Sequence, residues 1–164
     1  MGPDENELTD KIIGAAIEVH RHLGPGLLES AYEECLCYEL SQLGMCFKRQ
    51  VHLPIHYKGI KLESAYRMDL VVEDAVVVEI KATEQTPAIY SAQLLTYLKA
   101  AGLRVGLLMN FNVPVLARGL KRVVNQYAGP APNRFDAETR RRGETHSGFP
   151  PRLRVSASKI PEVR

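Results

Sequence analysis

A chain of 164 residues, 45% hydrophobic and 24% charged, has the composition of one soluble globular domain with a real hydrophobic core. Its net charge of +2 is uneven: residues 129–164 hold eight Lys or Arg against four Asp or Glu, and residues 1–128 hold 13 against 15. The body thus lacks the basic surplus that usually announces a nucleic-acid binder. No stretch is long and apolar enough to span a bilayer, and acidic residues 1–7 are neither a signal peptide nor a myristoylation signal.

A cytoplasmic location is therefore expected, with no membrane partner. The odd cysteine count agrees: Cys35 and Cys37 sit two apart on a probable helix and point to different faces, while Cys46 stands alone. All three read as reduced structural thiols.

Thr9 or Asp10 can cap a first helix that runs to about His22, with Ile12, Ala15, Ala16, Val19 and Leu23 forming one buried stripe. His20 and His22 face different ways at its end and suit the negative helix terminus better than a metal. Gly24-Pro25-Gly26 breaks the chain. A second helix is expected over about residues 27–43, closing at Gly44, with Leu28, Ala31, Tyr32, Cys35, Leu36, Leu40 and Leu43 on its apolar face. Glu29 stands in the first turn, where an acid meets the positive helix end, beside Tyr32 and Glu33.

Alternation follows over residues 46–66. Phe47, Arg49, Val51, Leu53 and Ile55 share one parity, and Lys58-Gly59 turns the chain into a partner strand at 60–66. His52 and His56 read as surface strand residues, since no acid or cysteine lies at metal-ligand spacing.

Residues 67–81 form two apolar, β-branched runs with charged residues set into them and a short Glu73-Asp74-Ala75 break, the pattern of a hairpin of buried strands. If that break is a three-residue loop, positions summing to 148 face each other. Asp69 then lies opposite Glu79, and Lys81 shares their face. Opposed carboxylates repel, so something positive belongs between them. A hard divalent cation would suit, and so would an ion-pair network with Lys81 or Arg67. A two-residue turn would send Asp69 to the other face.

Thr86-Pro87 opens a third helix through Tyr90, Leu94, Leu95, Tyr97 and Leu98 to Gly102, with Gln93 and Tyr97 four apart on one face. A buried strand at 103–109 and a short segment at 115–124, with Leu116, Leu120 and Val123 inward, complete the body. The step from 76–81 to 103–109 demands a parallel crossover. The fold class is therefore α/β: a mixed central β-sheet with flanking helices. Three regions are expected: a flexible start at 1–7, a domain at 8–128, and a disordered Pro/Arg-rich tail at 129–164. The tail's arginines either hold nucleic acid without sequence preference or are merely solvated.

Gly26-Leu27-Leu28-Glu29-Ser30-Ala31-Tyr32 resembles the pattern of the GxxExxY family, itself similar to a branch of the PD-(D/E)xK nuclease superfamily. Asp69 followed by Glu79-Ile80-Lys81 resembles that superfamily's core motif, and Gln93-Leu94-Leu95-Thr96-Tyr97 its Q-x-x-x-Y helix motif. The likeness spans roughly residues 8–126, and Arg67-Met68 stands where the superfamily often has proline before the aspartate. It implies a restriction-endonuclease-like core. It also implies that Asp69 and Glu79 hold Mg2+, with Mn2+ as a substitute, that the Ile80 carbonyl is a further ligand, and that Lys81 orients or activates water. Glu29 would close the site directly or through a water, and Gln93 and Tyr97 would line it.

The implied function is metal-dependent hydrolysis of nucleic-acid phosphodiesters, with DNA favoured over RNA. The alternative is a non-catalytic scaffold that keeps the nuclease fold to bind nucleic acid or protein. A sugar hydrolase using Glu29 and Glu79 lacks any tryptophan platform. The oligomeric state is not fixed by the sequence.

Overall fold

A computed structural model describes residues 4–126. The proposed tail at 129–164 and residues 1–3 lie outside the described residues. In chain order come helices α1 (Glu5–Leu23) and α2 (Glu29–Gln42), strands β1 (Phe47–Tyr57), β2 (Ile60–Val72) and β3 (Val76–Lys81), helix α3 (Ala88–Ala101), strand β4 (Val105–Asn110), a 3-10 turn (Leu116–Arg118) and strand β5 (Leu120–Val124). The five strands lie in sequence order in one sheet. All neighbours are antiparallel except β3 and β4, which run parallel through the α3 crossover. This is the expected mixed α/β sheet with flanking helices.

The helices divide the sheet into two packed faces. On one side α1 and α2 cover Leu70, Val72, Val76, Val78, Ile80, Leu107 and Met109. On the other, Leu94, Tyr97 and Leu98 of α3 cover Val71, Val77 and Leu108. Alternate residues of β3 therefore belong to different cores, which explains why its apolar run is continuous. Helix α3 approaches the sheet closely at Gly106, where a β-carbon would come within 2.9 Å of Leu94 Cδ1.

Several boundaries differ from the sequence expectation. Helix α1 starts at Glu5, because Asp4 accepts the Asn6 amide at 3.1 Å and supplies the cap that Thr9 and Asp10 were expected to provide. Thr9 instead lies buried in the helix and bonds back to the Asn6 carbonyl. Leu28 and Leu43, expected on the apolar face of α2, are exposed, since both fall just outside the helical turns that touch the sheet. The segment after β4 is a 3-10 turn and an edge strand. Cys46, expected as a structural thiol, is exposed, whereas Cys37 is buried and burial pushes its thiol up to about 12.

Strands β1 and β2 contain one reversal that simple alternation did not foresee. Phe47 packs on the α1/α2 side and Arg49 meets Glu33 and Glu34 of α2, whereas Val51 and Leu53 pack under α3. On β2 the same exchange separates Leu70 and Val72 from Met68. Between the paired residues Arg49↔Leu70 and Val51↔Met68 lie Gln50 and Asp69. Gln50 has φ +50°, a conformation that costs a non-glycine residue about 1–2 kcal/mol and here lets the ribbon change faces.

Candidate active site

The loop Glu73-Asp74-Ala75 places Val72 opposite Val76 and Leu70 opposite Val78, the register expected of a three-residue connection. Glu73 and Asp74 both take positive φ, near 53° and 51°, as a tight reversal requires. One step further along, Asp69 Oδ2 accepts the Ile80 amide at 2.9 Å. Glu79 follows Val77 onto the α3 face and is 4% exposed. Lys81 donates from Nζ to Glu79 Oε1 at 2.7 Å and to the Ile80 carbonyl at 3.2 Å. The hairpin thus brings Asp69, Glu79, Ile80 and Lys81 together.

Burial, then the Asp69 charge, push Glu79 up to about 7, with Lys81 opposing. Burial also raises Asp69, against the Ile80 amide and the Lys81 charge. For Lys81, burial works to lower the value, but the bond to Glu79 and the surrounding carboxylates outweigh it and leave it raised. The lysine is therefore a firm ammonium at neutral pH. Its Nζ also lies 5.4 Å from the centre of the Tyr90 ring at the start of α3, a cation–π contact.

Gln93 Nε2 donates to the Tyr97 hydroxyl across one turn of α3. Burial, then the Glu79 charge, push the Tyr97 phenol up to about 12, so it stays protonated at neutral pH. Tyr66 of β2 packs against its ring at 5.1 Å between centroids. The structure therefore brings Tyr97 within electrostatic reach of Glu79 and bonds Gln93 to the tyrosine.

Glu29 is placed differently from a direct ligand. Its Oε1 accepts the Ala82 amide at 3.1 Å, so it reaches the end of β3 from the N-terminus of α2. Among the described residues no three His, Cys, Asp or Glu side chains are gathered closely enough to hold a metal ion. The carboxylate is occupied by the backbone just beyond Lys81, and the acid pair remains Asp69 and Glu79.

That pair with the Ile80 carbonyl nevertheless fits a hard cation. Glu79 Oε2 is buried and has no hydrogen-bond partner, leaving one carboxylate oxygen uncompensated beside a second carboxylate. Such an oxygen costs about 1–3 kcal/mol or more when left unpaired. Oxygen donors of this kind suit Mg2+ or Mn2+.

Sequence reasoning missed the groups that support the site. Glu33, one helical turn after Glu29, is 7% exposed and accepts from Arg49 Nε at 2.9 Å and Gln50 Nε2 at 2.6 Å. An acid set at the spacing of a buried stripe was the signal. Behind the site, Asn110 accepts the Thr83 amide and donates to the Thr83 carbonyl and Thr86 Oγ1, fixing the segment that follows Lys81. Tyr32 of the G-x-x-E-x-x-Y pattern is structural: its hydroxyl bonds the Gly24 carbonyl and the Leu27 amide, and its ring stacks on Phe111 at 4.4 Å. It braces the loop that presents Glu29.

Neither a search among curated proteins nor one among solved structures finds a match. A family model described as the PD-(D/E)XK nuclease superfamily matches residues 6–123, a span that runs from the second residue of α1 through the greater part of β5. With Asp69 beside Glu79 and Lys81 at the heart of that span, the chain belongs to the PD-(D/E)XK nuclease superfamily.

Proposed function

We propose that this chain is a divalent-metal-dependent nuclease of the GxxExxY branch, acting on DNA in preference to RNA. The observation that carries the reading is half-buried Asp69 beside buried Glu79, with Lys81 bonded to Glu79 and one Glu79 oxygen unpartnered. Asp69, Glu79 and the Ile80 carbonyl would hold Mg2+ or Mn2+. When bound, such an ion activates water and neutralises charge developing on the phosphoryl oxygens.

The chain's own groups then have distinct tasks. Lys81, kept charged by its carboxylate neighbours, donates to the attacking water or to a phosphoryl oxygen and stabilises developing negative charge. Tyr97 and Gln93 donate hydrogen bonds to substrate phosphate, which a phenol with its value pushed to about 12 can do without ionising. Glu29, held by the Ala82 amide, orients a water at the site's edge.

The direct test is cleavage of labelled single- and double-stranded DNA and RNA with Mg2+, Mn2+ or a chelator. Wild-type activity that needs the metal and disappears in Asp69→Ala and Lys81→Ala supports the reading. Activity untouched by both substitutions would sink it. A second reading, a binding scaffold without catalysis, draws on one observation: Lys81 already satisfies Glu79 Oε1 and the Ile80 carbonyl. Absence of both cleavage and Mn2+ binding by calorimetry selects it.

A further inference from the structure

The β1–β2 ribbon outgrows the sheet. Strand β2 starts at Ile60, but its registered pairing with β3 covers only Leu70 to Val72, so the preceding stretch is paired to β1 alone. This arm extends from the same end of the sheet at which β3 delivers Glu79 and Lys81, and Asp69 forms its root. Residues 51–68 carry Lys58, Lys61, Arg67, His52 and His56 against the single acid Glu63, on a body that is otherwise slightly acidic.

Register arranges these groups. Arg67 stands directly opposite His52, and Lys61 directly opposite His56. The irregularity between Leu53 and Ile55 adds two residues on β2, so parity is kept and both pairs share one face of the ribbon. All four are exposed. Two bases placed opposite each other on an exposed ribbon lend it no stability, and they repel when the histidines are charged. Lys61 has an exposed ion pair with Glu63 at 3.1 Å, the kind of contact that contributes little.

Spacing points to the partner. His52 and His56 are four residues apart, roughly 13 Å along a strand, close to the ~12 Å width of the B-form major groove. One basic pair can meet each of the two phosphate ridges that flank such a groove, and a two-stranded ribbon is an element that DNA grooves admit. A single strand offers one backbone and satisfies one pair.

Resting on the reading that this chain acts on nucleic acid, we infer that the β1–β2 arm is a duplex-holding element. Its His52–Arg67 and His56–Lys61 pairs straddle two phosphate backbones and set the duplex beside Asp69. Arg67 is only two residues, roughly 7 Å of strand, from that aspartate, so the grip and the site are tied through one rigid strand.

Binding of a short labelled DNA duplex and of its separated strand by the full chain, measured by fluorescence anisotropy in chelator over a range of salt, tests this. The double variant Lys61→Ser/Arg67→Ser should lose about tenfold or more in duplex affinity, and its log affinity should fall less steeply with log salt by about two. Single-strand binding should change far less. The charge-retaining Lys61→Arg/Arg67→Lys variant should stay within about twofold of wild type, which separates lost charge from a damaged fold. Equal duplex affinity in wild type and the serine variant overturns the inference, as does an equal loss on both strand forms or a wild type that does not bind duplex. If the serine variant loses duplex binding but wild type cleaves nothing with Mg2+ or Mn2+, the arm stands and the nuclease reading falls.

Discussion

Side chains on the two faces of β3 meet opposite treatment. Val76, Val78 and Ile80 enter an apolar core closed by α1 and α2, where Tyr32 stacks on Phe111. Val77, Glu79 and Lys81 turn toward α3, where a smaller apolar cluster gives way to carboxylates, an ammonium and a phenol. The first face gains stability from burial. The second gives some back, because Glu79 is buried with one oxygen unpartnered. One strand six residues long therefore faces an apolar core on one side and a charged cluster on the other, and its period of two keeps the two apart.

Substitutions on the two faces should fail in different ways. The largest effect belongs to the polar face: Asp69→Ala should lower kcat roughly 10³- to 10⁴-fold, about 4–5 kcal/mol of barrier, while urea unfolding shows a smaller loss of about 1–3 kcal/mol from the Ile80 amide left without its acceptor. Retained activity in that variant would dissolve the contrast. On the apolar face, Tyr32→Ala should lose about 3–4 kcal/mol of stability by opening the stack on Phe111 and freeing the Gly24–Leu27 loop. Tyr32→Phe, which keeps the ring and removes only the hydroxyl bonds, should lose about 1 kcal/mol.

A pH experiment sharpens the difference. The folded protein raises Glu79 from an ordinary 4.5 to about 7, so between those values the native state holds a proton that the unfolded state has released. Stability from this group is thus present at low pH and lost as pH rises through about 7. Comparing wild type with Glu79→Gln by urea unfolding, the balance should move in favour of the variant by on the order of 2–3 kcal/mol from pH 4.5 to above 7. Over the same range Mg2+ should bind wild type more tightly as pH rises, because the ion and the proton compete for one carboxylate. A pH-independent difference between the two proteins would show that Glu79 is not strained by its site.

The smallest effect concerns the reversal between the faces. Gln50→Gly should be more stable than Gln50→Ala by about 1 kcal/mol, since glycine accepts φ +50° and alanine does not. Equal stability would mean that the positive φ is not maintained in solution.

How much of this could be read from residues alone follows from the kind of signal each feature leaves. The β2–β3 register, Val72 opposite Val76 and Leu70 opposite Val78, was legible because the Glu73-Asp74-Ala75 break fixed the loop length, and loop length fixes which residues oppose. The α3 motif was legible because Pro87 and Gly102 bracket it. The reversal at Gln50 was not, because a positive φ leaves no mark in a hydrophobic pattern. Glu33 escaped for a different reason: its burial depends on Arg49 and Gln50, which come from another element and repair the cost of hiding a charge. Spacing alone read Glu29 as an ordinary helix-start acid, and only the family resemblance pointed it at the site; its bond to the Ala82 amide is a backbone contact that side-chain spacing cannot express.

The two hairpin connections have contrasting freedom to change length during divergence. Residues beyond Asp69 on the arm pair only with β1, so inserting or deleting matched residues around Lys58-Gly59 lengthens or shortens the arm without displacing any group at its root. The Glu73–Ala75 connection has no such latitude, since one added residue slides Asp69 past Glu79 and turns it to the other face. An insertion library should accordingly accumulate tolerated variants at the first turn and none at the second, making reach an evolvable property and chemistry a fixed one.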